Sequence, residues 1–293
     1  MDFKPLSFDL KAQYDKYFAA CPVKYCEYSF FSLWGWRDAA LIELAFDDEN
    51  NLCWVKSQNL IYGPVGSWRD NNINWRKILE NNFNNKFELY DVPEDAANLI
   101  QNALSNATLS EERDQWEYVY SVNDLIKLKG SKFSHKRNRV RTFESSYEFD
   151  YMPLTPNDFK DVLNFQECWR EHRDETMTDS EAASLLVEDK AVRTAIEYWD
   201  KFPLLGGMIK IDDKIIAYTI AEVLDENNLD IRFEKAFGEY AGSYQAINNF
   251  FLRDQGAKFK WVNREEDMGE LGLREAKLSY NPEFMLKKYR IKI

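Results

Sequence analysis

Two spacings of hydrophobic residues run through the chain, and the switches between them mark its elements. From Phe8 to about Ala19 the apolar residues recur at helical spacing, and SFFSLWGWRDA (29–39) predicts a second, aromatic-rich helix. LIELAF (41–46) and NLCWVK (51–56) have the character of strands, with DDEN as the hairpin turn between them. NLIYGPVG then closes the run with Gly and Pro punctuation. A helix from about Asn72 to Asn82 would carry Trp75, Ile78 and Leu79 on one face. KFELYDV reads as a strand, and PEDAANLIQNAL as a helix with Pro near its first turn.

The second half repeats that order. TPNDFKDVLNFQECW (155–169) echoes the opening helix, and a long helix follows from about Ser180 to Trp199. GGMIKIDDKIIAYTIAEV is a hairpin with Asp212-Asp213 at its turn, and NLDIRFEKAF adds a third strand. AGSYQAINNFFLRDQ is an amphipathic helix, FKWVN a fourth strand and LGLREAKLSY a short final helix. The halves share an order of elements rather than residues. That order predicts an α/β (α+β) fold of two tandem GNAT-like acyltransferase domains, with mixed, mostly antiparallel sheets flanked by helices. The alternative is one mixed α/β domain beside an unrelated α+β partner. The expected boundaries are 1–125 for the first half, 126–150 for a connecting segment and 151–293 for the second half.

Composition narrows the function classes. In 293 residues, 45% are hydrophobic and 15% aromatic, which is core-forming material. Trp34, Trp36, Trp54 and Trp75 are expected in that core rather than in a ligand box. The net charge of −12 argues against general nucleic-acid binding, because most of the surface repels phosphate. Cys21, Cys26, Cys53 and Cys168 form no CxxC pair and the two histidines are distant, so no metal site is expected. The N-terminus lacks the apolar core of a signal peptide and no apolar run reaches membrane-spanning length, so a cytoplasmic location without membrane insertion is expected.

Against this acidic background, Lys127 to Arg141 holds seven Lys or Arg and no Asp or Glu. A helix capped by Ser131 would bring Phe133, Val140 and Phe143 onto one packing face. Lys132, Lys136 and Arg139 would lie beside them, with Arg137 and Arg141 extending the positive surface. His135, Lys136 and Asn138 would stand near the helix start, where free N–H groups also favour an anion. A solvated helix balancing acidic neighbours is the plain reading; a phosphate or tRNA contact is the functional one.

The stretches YVYSVNDLIKLKGSKFSHKRNRVRTFE (118–144) and NREEDMGELGLREAKLSYNP (263–282) resemble an uncharacterised bacterial family. That family is grouped with the C-terminal domain of phosphatidylglycerol lysyltransferases, and the resemblance covers almost the whole chain. It implies kinship with lysyl-phosphatidylglycerol synthases and Fem-type peptidoglycan transferases, which move an aminoacyl group from aminoacyl-tRNA to an amine or hydroxyl. Aminoacyl-tRNA is then the expected donor, held through the local basic patch, and the acceptor is unidentified. Lipid lysination itself is a poor match, because those synthases use a transmembrane portion.

In a GNAT-type sheet, residues leaving the strand FKWVN line the central cleft. Asn263, Arg264, Glu265, Glu266 and Asp267 would sit at its mouth. Transfer to an amine needs a base, for which Glu265 and Glu266 are the candidates. Arg264 or Lys277 would steady the oxyanion, and Tyr280 would protonate the leaving group. A CoA-dependent N-acetyltransferase, the competing enzyme class, needs a glycine-rich turn whose N–H groups face pyrophosphate. At the equivalent place stands GEYAGSYQAINNF (238–250), where Glu239 brings negative charge, so CoA is the less favoured cofactor. Ser243, Tyr244 and Gln245 remain ligand candidates at that helix start. A non-catalytic phosphate- or tRNA-binding module of the same fold is the third alternative.

Overall fold

In a computed structural model describing residues 1–83, 87–174 and 178–293, the strands form two seven-stranded mixed sheets flanked by helices. The first sheet runs Lys4–Pro5, Ile42–Asp47, Leu52–Ser57, Leu60–Gly66, Glu88–Pro93, Lys288–Lys292, Thr108–Glu111. The second runs Asp150–Pro153, Leu204–Ile211, Lys214–Val223, Asn228–Ala236, Trp261–Asn263, Glu117–Ser121, Phe284–Leu286. In each, four antiparallel strands lead to one parallel step and then to an antiparallel neighbour. The tandem repeat is therefore a repeat of sheet order. The chain divides into one unit of Met1–Glu117, Glu266–Arg274 and Met285–Ile293, and another of Tyr118–Glu265 and Glu275–Phe284. Residues 126–150 lie within the second.

Local chemistry explains the elements that sequence reading found. Asp212 and Asp213 both take positive φ, as a two-residue turn between right-twisted strands requires. Asn74 caps the helix Trp75–Asn82 by accepting from the Lys77 N–H, and Trp75, Ile78 and Leu79 are its buried face. Trp34 and Trp54 are also buried, while Trp36 is half-buried.

Other expectations need correction. The helix read over 29–39 is two short ones, Phe30–Gly35 and Arg37–Ala40, interrupted at Trp36. The punctuation in NLIYGPVG is a strand, Leu60–Gly66, whose glycines lie inside the sheet: a Cβ on Gly66 would stand 2.2 Å from the Asn51 carbonyl oxygen. Ser131 does not cap an α-helix. It opens a 3-10 turn, Ser131–Phe133, and the α-helix runs Ser134–Ser146. Val140 and Phe143 are nonetheless on its buried face, together with Lys136, and Phe133 is buried in the turn before it. At about 1.5–3 kcal/mol for each large apolar side chain, that face rather than any cap holds the helix in place.

In the second unit this basic helix packs against the helix Ser243–Phe251, which also lies on the strands Leu204–Ile211, Lys214–Val223 and Asn228–Ala236. Gly242 makes the close approach between the helices feasible. It holds φ +90°, and a Cβ there would sit 2.3 Å from the Arg139 carbonyl oxygen.

Candidate functional site

The parallel step in the second sheet is brief. Asn228, Leu229 and Asp230 pair with Trp261, Val262 and Asn263, and there the ladder ends. One strand continues to Ala236, while the other leaves as Arg264 and Glu265. Two parallel strands that part in this way leave backbone without a sheet neighbour, and side chains fill the gap. Asp230, Arg232 and Glu234 follow one another along the longer strand, whose pairing with Lys214–Val223 shifts register at Arg232. Glu265 is reached through a turn in which Asn263 Oδ1 accepts its backbone N–H, and its φ is +58°.

Two charge clusters occupy this opening. In the first, buried Arg232 meets Glu222 at 2.6 Å, Asp230 at 2.9 Å and Glu265 at 3.1 Å. Three carboxylates share one guanidinium. In the second, Arg264 donates from Nη2 to Glu234 at 2.6 Å, and Glu234 also accepts from Asn248 at 2.9 Å. Arg264 Nη1 is buried without a hydrogen-bond partner among the described residues. The guanidinium lies 4.6 Å from the centre of the Tyr280 ring, and the Lys136 ammonium 3.9 Å from the same ring. Gln245 and Arg264 both approach the Tyr280 hydroxyl.

The electrostatics follow from this packing. Lys136 is only 8% exposed, and no carboxylate pairs with it among the described residues. Burial, then the charges of Arg264 and Arg139, push its pKa down to about 8. Burial pushes the Tyr280 phenol up to about 12 against the pull of Arg264, so it keeps its proton at neutral pH. Burial also opposes the charge on Arg264, but Glu234, Tyr280 and Tyr120 outweigh it and hold the guanidinium fully ionised.

Four sequence candidates are thus brought together: Lys136, Gln245, Arg264 and Tyr280. Glu265 lies in the adjoining carboxylate cluster through Arg232, and Lys277 presents its ammonium 5.8 Å from the Tyr118 ring. The others separate. Lys132 is exposed and pairs with Asp124 at 3.2 Å. Arg137 donates to the carbonyls of Leu128 and Gly130, closing the end of the preceding helix. His135 and Asn138 are exposed, and Tyr244 is half-buried. Ser243 is buried and donates its hydroxyl to the Phe237 carbonyl, so it is an internal brace. Glu266 belongs to the first unit, where it adds negative potential around Lys288. Asp267, also placed at the cleft mouth by sequence, is a buried anchor for Arg113 and Arg274 in that unit. Sequence reasoning missed Glu222, Arg232, Glu234 and Asn248. The signal was present, since DIRFE sets three charges at alternate positions within a strand.

The phosphatidylglycerol lysyltransferase C-terminal family matches the chain over residues 18–292. The chain belongs to that family. A conserved protein of unknown function from Bacteroides thetaiotaomicron has the same architecture, with TM-score 0.88, 25% identity, and 100% of this chain and 99% of that one covered. FemX matches at TM-score 0.62 and 9% identity over 100% and 97% of the two chains, a likeness of fold alone. An uncharacterized protein of Mycoplasmoides gallisepticum is 28% identical over 184 residues, which span 60% of this chain and 56% of that protein. The fold is thus of the tandem GNAT-like, Fem-like kind, and no described helix is long and apolar enough to cross a membrane.

Proposed function

We propose that this family member is an aminoacyltransferase that takes its aminoacyl group from aminoacyl-tRNA and passes it to an amine or hydroxyl. The observation that carries this reading is the pair of clusters where the parallel strands part. A carboxylate cluster containing Glu265 stands on the same strand exit as the Arg264–Tyr280–Lys136 group. Acyl transfer needs a proton acceptor for the nucleophile, positive charge facing the oxyanion, and a proton donor for the leaving ribose oxygen. Glu265 is the carboxylate offered for the first, because it stands next to Arg264 where the strand Trp261–Asn263 ends. Arg264 supplies the second. Tyr280, protonated at neutral pH, supplies the third. Glu266 and Lys277 have no role in this scheme.

CoA is disfavoured on the same ground. The turn that would hold its pyrophosphate is occupied by packing of Gly242 on Arg139 and by the Ser243–Phe237 bond.

The test is deacylation of total labelled aminoacyl-tRNA by the purified protein, with soluble amines and phosphatidylglycerol vesicles as parallel acceptors. Protein-dependent loss of label is expected for a subset of amino acids. Glu265→Gln should slow it about a hundredfold. Background deacylation alone, together with thermal stabilisation by CoA, would replace this reading with an acetyltransferase.

A further inference from the structure

Lys136 raises a separate question. A buried ammonium without a counter-ion is costly, and here its neighbours, Arg264 and Arg139, are also cationic. Glu234, the carboxylate paired with Arg264, is also engaged by Asn248. The Tyr280 ring offers partial compensation only. Gln245 and Arg264 are of intermediate burial.

We propose that Lys136 is the centre of a binding site for a phosphate group, with the Gln245 amide and the charges of Arg264 and Arg139 beside it. The proposal rests on the reading of this cluster as the seat of the donor, and it names the part of the donor held there. A phosphate ester of a nucleotide and that of a lipid headgroup share this chemistry.

Sulfate serves as the first probe because, unlike phosphate, it keeps one charge state between pH 7.5 and pH 9.5. Calorimetric titration at constant ionic strength should show binding to the wild-type protein, about tenfold or more weaker in Lys136→Met. The ammonium loses its proton above about pH 8, so wild-type affinity should fall about tenfold or more from pH 7.5 to pH 9.5. Lys136→Arg should bind at both pH values, because a guanidinium does not titrate there. Circular dichroism checks that both variants fold. Adenosine monophosphate and glycerol phosphate then distinguish the sources: tighter binding of the first points to a nucleotide, of the second to a lipid headgroup. Equal sulfate affinity in wild type and Lys136→Met, or no pH dependence in the wild type, would overturn the proposal. Failure of aminoacyl transfer would not, since these titrations need no donor.

Discussion

Two lysines are withdrawn from solvent among the described residues, and their surroundings are opposite. Lys288, in the first unit, lies 2.6 Å from Glu27 and 3.0 Å from Glu117, with Glu266 and Asp91 adding negative potential. Burial works against its charge, but these carboxylates overcome it, and its pKa stands well above the ordinary value. Lys136, in the second unit, has cations for neighbours, and its pKa is lowered. Each stands by the parallel step of its own sheet. Lys288 pairs with Pro93 on the strand that runs beside Ile61 and Tyr62, and Lys136 is near the strand exit at Arg264. One repeated architecture thus carries one saturated ion cluster and one unsaturated one. The first has the character of a structural cross-link; the second has an open valence, as ligand sites do.

The largest expected effect comes from breaking the saturated side. Lys288→Met leaves Glu27 and Glu117 without their cation and should destabilise the protein by about 3–5 kcal/mol, read by denaturant unfolding. A loss under about 1 kcal/mol would mean that the cluster is hydrated and the contrast with Lys136 is one of degree.

Gly242→Ala is next and acts only on the unsaturated side. Its Cβ would meet the Arg139 carbonyl and its φ is strained for alanine, so a loss of about 2–3 kcal/mol is expected. The basic helix must shift, so sulfate affinity should fall with stability. Unchanged affinity would show that the phosphate site does not depend on this helix contact.

Some of this contrast could be read in the sequence. The seven cations of residues 127–141 announced the positive side, and helical spacing gave its buried face. Which cations were free could not be read there. Arg137, Lys132 and Lys136 look alike in the string, yet one closes a helix end, one pairs with Asp124, and one points into the core. Partners brought from residues 234, 264 and 280 decided the matter. Lys288 was invisible for a related reason. KYRIK has one purely apolar residue, and only pairing with Glu88–Pro93 and Thr108–Glu111 makes it a central strand. Hairpins and long helices were legible because their signals are local; strands closed by distant partners were not.

Asp91 offers a smaller test. Burial raises its pKa to about 7, with Lys288 opposing and Glu112, Glu266 and Glu117 adding to the rise. Between about pH 4 and pH 7 the native state therefore holds a proton that the unfolded state releases, and stability falls as pH rises through that window. Asp91→Asn should stabilise the protein by about 1–2 kcal/mol above pH 7 and have no effect below about pH 4. The same gain at both ends would place the cause in packing rather than charge.

Lys136→Met has the smallest expected effect on stability, and its sign is the informative part. A lysine whose native pKa is lowered to about 8 disfavours the fold below that pH. The penalty lifts as pH rises towards the unfolded value near 10.5, because there the unfolded state binds the extra proton. Wild-type stability should therefore contain a rising component between about pH 8 and 10.5 that the variant lacks. The Tyr280 ring offsets part of the cost, so this component should be about 1 kcal/mol. At pH 7 the variant should be as stable as the wild type or slightly more so, since it loses the contact with the Tyr280 ring but also the cost of the unpaired charge. Destabilisation by several kcal/mol would make Lys136 a structural residue like Lys288. A neutral result beside a lost sulfate site would set the two lysines apart, one spent on the fold and one kept for a ligand.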